Sequence, residues 1–332
     1  MAFPSESEQS AITEQKAQHY IPKFYLKGFT DKQGKLWVFE KFKPLRESRP
    51  KDEAHRPDYY THAEKGRRDE TAEDVLKGAE SRAAPIILKL ATSQFVLTPE
   101  RAGHLIIFVA FMFARVPSWR EHLDNLAAQL ARENILKTAR DRTKFNQTCD
   151  ALERATGKPL DMDRGELRDY ILGGQYDIKQ GSKGFNLGSM FKTAFSALDE
   201  LKFMGYQVFY APKGNAFVTS DSPVYTLQPD GEGEAAIGMG FGHDNVEVYF
   251  PLNKRACLRL KKGIKPMQRV IEAGHVDQIN SITMATASQY LYSSERYRRL
   301  GRLFDERGSK VLAGKNAFMA SPPPQELTKR KR

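Results

Sequence analysis

The sequence predicts an α+β fold in which helices come first along the chain and strands follow. From about residue 71 to 204, apolar residues recur every three to four positions, as they do on one face of a helix. After Gly205 the segments become short, β-branched or aromatic, and separated by Gly, Pro, Asn or Asp. Helices and strands do not alternate as in a βαβ fold, so we expect a mainly antiparallel C-terminal sheet.

The first regular element expected is a strand. After Gly34, Leu36 and Val38 alternate with Trp37 and Phe39, which is the period-2 pattern of a strand. This strand is a candidate to join the C-terminal sheet. Residues 43 to 70 are charged and interrupted by proline, and they predict a long surface loop.

Helix signals follow up to residue 201. Thr71 is a suitable N-cap for a helix that Pro85 should kink. Thr98-Pro99 opens a second helix, which should break near Pro117. Further helices are predicted from Pro117 to Leu130, from the capping box at Asp163 to Gly173, and along the apolar stripe from Met190 to Leu201.

Short strands and two terminal helices are expected after the helical region. The predicted strands are 206–210, 216–219, 224–227, 246–250 and 256–261, and the predicted helices are 275–291 and one that begins at Ser294. We therefore divide the chain into a flexible leader (1–17), one α+β domain (18–320) and a basic tail (321–332). The domain has a helical lobe at about 71–204 and a β-rich lobe at about 205–272, closed by the C-terminal helices.

Composition excludes several classes of protein. The chain has 332 residues, 40% of them hydrophobic, which excludes a disordered or collagen-like protein. Its two cysteines, Cys149 and Cys257, are far apart and have no metal-ligand spacing, so a reduced cytoplasmic protein is expected. The N-terminus lacks the layout of a secretory signal. The longest apolar run, 105–114, is half the roughly 20 residues of a membrane span, so no membrane partner is expected.

Three residues are candidates for catalysis. His19 lies in an aromatic, proline-containing stretch that would position an imidazole for acid or base chemistry, or pack it structurally. Arg115 ends an apolar run, so its guanidinium must either pair with a carboxylate such as Asp221 or bind a phosphate. Asp221 follows a strand in the segment Thr219-Ser220-Asp221-Ser222-Pro223, where it either serves chemistry or caps a turn.

A magnesium site is a further hypothesis. Glu73 and Glu80 are seven residues apart and hence close to the same line along a helix. Together with Asp221 they could supply the oxygen ligands that Mg²⁺ prefers. The alternative is that both glutamates are solvated on a helix surface.

Positive charge is concentrated in the C-terminal part of the chain. Lysine and arginine exceed Asp and Glu by 52 to 41, a formal net charge of +11, and 254–269 holds seven basic residues and no acidic one. Such a surface attracts polyanions and favours nucleic acid as the partner. In the strand 256–261, however, Arg259 and Lys261 alternate with Leu258 and Leu260, so a solvated sheet face explains part of this charge.

Four segments resemble one known family. They are the stretch from Gln18 to Phe29 with its His-Tyr-x-Pro signature, the Arg-x-Pro at 115–117, the Ser-Asp-x-Pro at 220–223, and Phe250-Pro251-Leu252. In this order they resemble the bacterial family of unknown function numbered 4238, over about positions 18 to 293. The resemblance implies no activity.

From these features we expect a nuclease-like enzyme that cleaves RNA or DNA phosphodiesters, with a role in phage defence or as a toxin. His19, Arg115 and Asp221 are its expected catalytic residues. The expected substrate contacts are Tyr20, Lys23, Ser220, Arg259 and Lys261. The alternative is a non-enzymatic module that binds nucleic acid or a protein partner.

Overall fold

Helices and mainly antiparallel sheets make up the chain, which confirms the predicted α+β class. The structure is a computed structural model, and it describes residues 16–64, 67–92, 95–174, 176–178, 183–229, 235–238 and 240–296. The predicted C-terminal helix that begins at Ser294 lies outside these ranges from residue 297 onward, as do the basic tail and residues 1–15 of the leader.

Four helices begin at or next to the N-terminal signals that the sequence places at Thr71, Pro99, Pro117 and Asp163, whereas the helices at 23–27 and 142–156 were not predicted. The described helices are α1 (Lys23–Lys27), α2 (Thr71–Thr92), α3 (Pro99–Ala114), α4 (Pro117–Arg140), α5 (Arg142–Thr156), α6 (Arg164–Gly173), α7 (Lys183–Leu201) and α8 (Ala273–Thr286). The Thr98 side chain accepts a hydrogen bond from the backbone N–H of Arg101 and caps α3. Asp163 caps α6, which ends at Gly174 with φ +70°. Helix α2 continues through Pro85.

Six strands form the larger sheet. Its strands are β7 (Met204–Tyr210), β9 (Tyr225–Pro229), β10 (Ala235–Ile237), β11 (Glu247–Asn253), β12 (Ala256–Lys262) and β13 (Met267–Val270), in the spatial order β10-β9-β11-β12-β7-β13. All neighbours are antiparallel except β13, which runs parallel to β7. One face buries Val208, Val248 and Leu258, and the Phe250 ring on that face lies 6.1 Å from the Phe108 ring of α3.

The N-terminal strand lies in a second sheet. Strand β2 (Leu36–Glu40) pairs with β3 (Arg46–Ser48) and with β14 (Tyr290–Ser293), and β14 also pairs with β8 (Thr219–Ser220). The order β3-β2-β14-β8 means that β2 does not extend the six-stranded sheet, contrary to its expected place.

Two segments differ from the secondary structure that the sequence predicts. The expected loop at 43–70 contains β3, β4 (His55–Pro57), β5 (His62–Glu64), β6 (Arg67–Asp69) and a 3₁₀ turn at Pro50–Asp52. The expected helix at 275–291 ends at Thr286, and residues 290–293 form β14 instead. In both segments strand pairing decides the conformation, because three-residue and four-residue strands carry little periodicity of their own.

Two compact units divide the chain. One contains the residues up to Pro117 and those from Phe191 onward, and the other is Ser118–Met190. The boundary falls inside the expected helical lobe, since α2 and α3 belong with the sheets. Among the described helices none alone is long and apolar enough to cross a membrane; α3 and α4, bent by 59°, meet these criteria only when taken together.

Candidate functional site

Two imidazoles lie side by side on a short pair of strands near the N-terminus. Strand β1 (Ala17–His19) pairs antiparallel with β4, and His19 lies directly opposite His55 in the register. Directly opposed residues in an antiparallel pair project from the same face. The two ring centroids are accordingly 5.2 Å apart, with 48° between the ring planes.

His19 is half-buried, and one of its ring nitrogens is already bonded. Its Nε2 lies 3.2 Å from the carbonyl oxygen of Lys51. Because a carbonyl only accepts, Nε2 carries the hydrogen and Nδ1 is the unprotonated nitrogen of the neutral ring. Burial lowers the pKa of His19 to about 4, and the charges of Lys23 and His55 act in the same direction. His19 is therefore a neutral imidazole at pH 7.

Cationic residues lie close to these imidazoles in the chain, and the charge of Lys23 acts on His19. Lys23, Lys51 and Arg56 are exposed, and the Arg56 guanidinium lies 5.9 Å from the centre of the Tyr59 ring. The ammonium groups of Lys23 and Lys51 make no hydrogen bond or ion pair with any residue that the structure describes. We call His19, Lys23, Lys51, His55 and Arg56 the histidine ribbon.

Tyr20 does not belong to this exposed surface, although the sequence makes it a candidate for substrate contact. Its side chain is 5% exposed, and its backbone N–H donates to the carbonyl of Ala54 at 2.9 Å. Burial raises its pKa, as does the charge of Asp221. Tyr20 therefore anchors the chain that follows β1, and of the predicted contacts near His19 only Lys23 is exposed.

Arg115 is buried in an ion pair with a residue other than the predicted partner. Its guanidinium is 1% exposed, and Nη1 donates to Glu80 Oε1 on α2 at 2.7 Å. Nη2 donates to the Met112 sulfur at 2.8 Å, and the guanidinium carbon lies 5.8 Å from the Phe108 ring centre. The expected pair with Asp221 is wrong. A guanidinium so deeply buried is also out of reach of a phosphate in a polymer.

Asp221 ties the turn after β8 to the start of β14. Its Oδ1 accepts the backbone N–H of Ser288 at 2.8 Å, and its Oδ2 accepts those of Gln289 at 2.6 Å and Tyr290 at 3.2 Å. Burial raises its pKa to about 6, against the effect of these amides and of Lys41. Lys41 in turn donates to the carbonyls of Ala287 and Ser288. This matches the capping alternative that the sequence left open.

The three predicted catalytic residues are not brought into contact. Within the described part of the chain, no hydrogen bond or ion pair joins His19, Arg115 and Asp221 to one another. Ser220 is fully buried, and its Oγ accepts the backbone N–H of Ser222. The expected joint catalytic function of these three residues therefore has no support in the geometry.

The carboxylates proposed for magnesium are likewise held apart. Glu80 binds Arg115, whereas Glu73 accepts from Gln18 at 2.8 Å and pairs with Lys77 at 3.0 Å. Asp221 is occupied by backbone amides. Among the described residues, no group of three or more His, Cys, Asp or Glu is placed to hold a metal ion. We therefore do not retain this ligand set.

Arg259 and Lys261 share one carboxylate on the six-stranded sheet. Glu247 lies opposite Lys261 in the register, and its oxygens accept from Arg259 at 2.5 and 2.8 Å and from Lys261 at 3.0 Å. Burial alone would raise the pKa of Glu247, but these bonds lower it to about 2. Glu247 thus neutralises one of the two positive charges at Arg259 and Lys261, which weakens this strand as a surface for nucleic acid.

A comparison with protein-family models found one match that covers most of the chain. Residues 17–297 match the family described as protein of unknown function, DUF4238. The chain belongs to this family. The resemblance inferred from its motifs is thereby confirmed. Comparisons with curated proteins and with solved structures found no match.

In this member of DUF4238, the matched range begins in β1 and contains every residue of the histidine ribbon. Sequence reasoning found His19 and Lys23 but missed His55, Lys51 and Arg56. These three lie in the segment 43–70, which the sequence assigns to a loop. The register of β1 against β4 brings His55 to His19, and the hydrogen bond from His19 Nε2 brings in the Lys51 carbonyl. The available signal was the dense group of basic side chains and histidine between 49 and 56.

Proposed function

We propose that this protein is a ribonuclease-like enzyme that cleaves RNA phosphodiesters at the histidine ribbon. The observation that carries the proposal is the pair of imidazoles, 5.2 Å apart, on a short strand pair with exposed cationic residues close to it in the chain. Paired imidazoles can take and give protons in one reaction, and general acid–base catalysis contributes typically 10²- to 10⁴-fold. The lysines and arginine supply the charge that draws a polyanion to the same place.

The neutral state of His19 assigns it the role of base. Its Nδ1 takes the proton of the ribose 2′-hydroxyl, and the 2′-oxygen then forms a bond to phosphorus. The bond from phosphorus to the 5′-oxygen breaks, and His55 gives a proton to that oxygen. Lys23 and Lys51 stabilise the negative charge on the phosphoryl oxygens. The products are a 2′,3′-cyclic phosphate and a free 5′-hydroxyl.

This chemistry supports RNA rather than DNA as the substrate. The attacking group is the hydroxyl adjacent to the phosphodiester, which deoxyribose lacks. Two imidazoles and a neighbouring hydroxyl complete the reaction in balance, because one ring gains the proton that the other loses. We therefore expect an RNA strand to be cut and the DNA strand of the same sequence to stay intact.

Labelled RNA and DNA of identical sequence, incubated with wild type and with single variants, test the proposal. His19→Gln keeps a donor for the Lys51 carbonyl but cannot act as a base, so we expect it to lower the rate at least 100-fold. His55→Ala should do the same, whereas His275→Ala, which alters an exposed histidine of α8, should cleave like wild type. Equal rates for wild type and His19→Gln would refute the mechanism, and so would cleavage of the DNA strand.

The pH dependence is a second readout. Since the pKa of His19 is about 4, the base stays unprotonated well below neutral pH. We expect the acidic limb of the kcat/KM profile to fall only as the pH drops through about 4. An acidic limb near pH 6.5, the ordinary range of histidine, would assign the base to another group.

A non-enzymatic RNA-binding module is the second candidate, and one observation favours it. An imidazole with a pKa of about 4 is a weak base, and its Nε2 is already committed to a backbone carbonyl. In that case the ribbon would bind RNA through its cations alone. Binding that weakens with salt, with intact RNA after long incubation, would select this candidate over the enzyme.

A further inference from the structure

Four loops meet at a pocket of about 310 Å³, at the ends of the two main sheets. They are the turn at 31–33 between α1 and β2, the turn at 214–216 between β7 and β8, the β11–β12 turn at 254–255, and residues 294–295 after β14. All four belong to the same compact unit. We call this the four-loop pocket, and none of the residues that line it belongs to the histidine ribbon.

Hydrogen bonds lock the loops to one another. Lys254 donates through its backbone N–H to the carbonyl of Gly28 at 3.0 Å and through Nζ to the carbonyl of Thr30 at 2.7 Å. Asn253 accepts the backbone N–H groups of Arg255 and Ala256 at 2.7 and 2.9 Å. The pocket wall is thus fixed before any ligand arrives, which reduces the entropy cost of binding.

The wall carries spare hydrogen-bond donors with positive charge. The Lys32 ammonium makes no hydrogen bond or ion pair with any described residue. The Nη1 of Arg255 donates to the carbonyls of Pro212 and Asn215, at 3.2 and 3.4 Å, and its Nε and Nη2 have no partner in the described part of the chain. With Lys254, three cations face two carboxylates, so the wall keeps a net positive charge suited to a phosphate.

The pocket wall also carries groups that can bind the hydroxyls of a ligand. The side-chain carboxylate of Glu295 accepts no hydrogen bond from the described residues, and Asp31 uses only Oδ1, which accepts the backbone N–H groups of Gln33 and Lys35. Ser294 is 6% exposed, and its hydroxyl has no hydrogen-bond partner there. A buried polar group without a partner is costly, so a ligand hydroxyl at this wall would be stabilising.

We infer that the four-loop pocket binds a small phosphate monoester that also carries hydroxyl groups, the class of the sugar phosphates. Its volume lies at the lower end of the roughly 300–1,000 Å³ of ligand pockets, which excludes large ligands. The described residues that line it include no aromatic side chain, so a nucleobase would find no ring to stack on. The phosphate would bind Lys32 and Arg255, and the hydroxyls would bind Glu295 and Asp31.

Calorimetric titration of the full chain with ribose 5-phosphate, glucose 6-phosphate and glycerol 3-phosphate tests this inference, with ribose and inorganic phosphate as comparisons. At least one phosphate ester should bind ten or more times more tightly than ribose or phosphate alone. Lys32→Gln should weaken that ester roughly tenfold, the usual effect of losing one charge-assisted hydrogen bond. Lys265→Gln, which alters an exposed lysine outside the pocket, should bind like wild type.

The inference is overturned if no ester binds more tightly than inorganic phosphate, or if Lys32→Gln and Lys265→Gln have equal effects. It does not rest on the proposed ribonuclease activity. Lys32→Gln should cleave RNA at the wild-type rate if the ribonuclease proposal holds, since the pocket and the ribbon share no residue.

Discussion

The ion pair between Arg115 and Glu80 is asymmetric, and this asymmetry has consequences for stability. The arginine is 1% exposed, whereas the glutamate is 24% exposed and can retain part of its hydration. Removing the glutamate would leave a fully buried cation without a counter-charge, which is among the most destabilising changes known in proteins. Arg115 therefore acts as a structural residue that holds α2 against the end of α3.

We expect Glu80→Gln to lower the free energy of unfolding by about 3 kcal/mol, toward the lower limit for breaking a buried pair because Gln keeps one acceptor oxygen. Urea denaturation followed by circular dichroism measures the change. The matched control is Glu133→Gln, at an exposed glutamate of α4, which should stay within about 0.5 kcal/mol of wild type. Equal effects of the two variants would contradict a structural function for the pair.

At the scale of single residues, the sequence predicts the need for a partner better than it predicts the partner. A buried cation at the end of an apolar run needs a counter-charge, and Glu80 provides one for Arg115. Whether Glu80 or Asp221 neutralises it depends on how α2 packs on α3, which no local pattern encodes. His55 was missed for a related reason, since the register of β1 against β4 alone places it beside His19.

Among the elements, the helices were predicted well because their signals are local. The side chains of Thr98 and Asp163 accept hydrogen bonds from free N–H groups of a first turn, and Pro99 has no N–H that needs a partner. These effects do not depend on the rest of the chain. Strand β14 was predicted as helix because Tyr290 and Leu291 prolong the apolar pattern of α8. Its pairing with both β2 and β8 stabilises the extended form instead.

Strands β11 and β12 are linked by a charge cluster that should respond to acid. The pKa of Glu247 is about 2 in the folded chain, below its ordinary value of 4.5. A lowered carboxyl pKa gives stability that is present above pH 4.5 and lost as the pH falls through about 2. Arg259 and Lys261 would then face each other without a counter-charge.

We therefore expect Glu247→Gln to be less stable than wild type at pH 7 and to lose less stability between pH 4.5 and 2.5. Urea denaturation at several pH values gives the free energy of unfolding at pH 7 and its change between pH 4.5 and 2.5 for each protein. Glu272→Gln, at an exposed glutamate before α8, serves as the control and should follow the wild-type curve. Parallel curves for wild type and Glu247→Gln would show that the cluster does not titrate as described.

For the whole molecule, the net charge of +11 is not located on the surface that the basic run in the sequence predicts. The basic run at 254–269 suggested the six-stranded sheet as the surface for nucleic acid. In the fold, Glu247 offsets one of the two charges at Arg259 and Lys261, and Lys262 pairs with Glu200 at 3.0 Å. Lys23 and Lys51, which make no ion pair with any residue that the structure describes, lie instead on the histidine ribbon, far from that run in the sequence.

The salt dependence of RNA binding distinguishes the two surfaces. Each lysine that contacts a phosphate adds about 0.7 to the slope of log K against log salt for a single strand. If Lys23 and Lys51 each contact one phosphate, the variant Lys23→Gln/Lys51→Gln should lower this slope by about 1.4. Fluorescence anisotropy with a short labelled RNA measures it. The control Lys213→Gln/Lys265→Gln carries the same charge change at exposed lysines elsewhere and should keep the wild-type slope. If only the control variant lowers the salt slope, the RNA contacts lie outside the histidine ribbon. Counterions are released only where lysines neutralise phosphates.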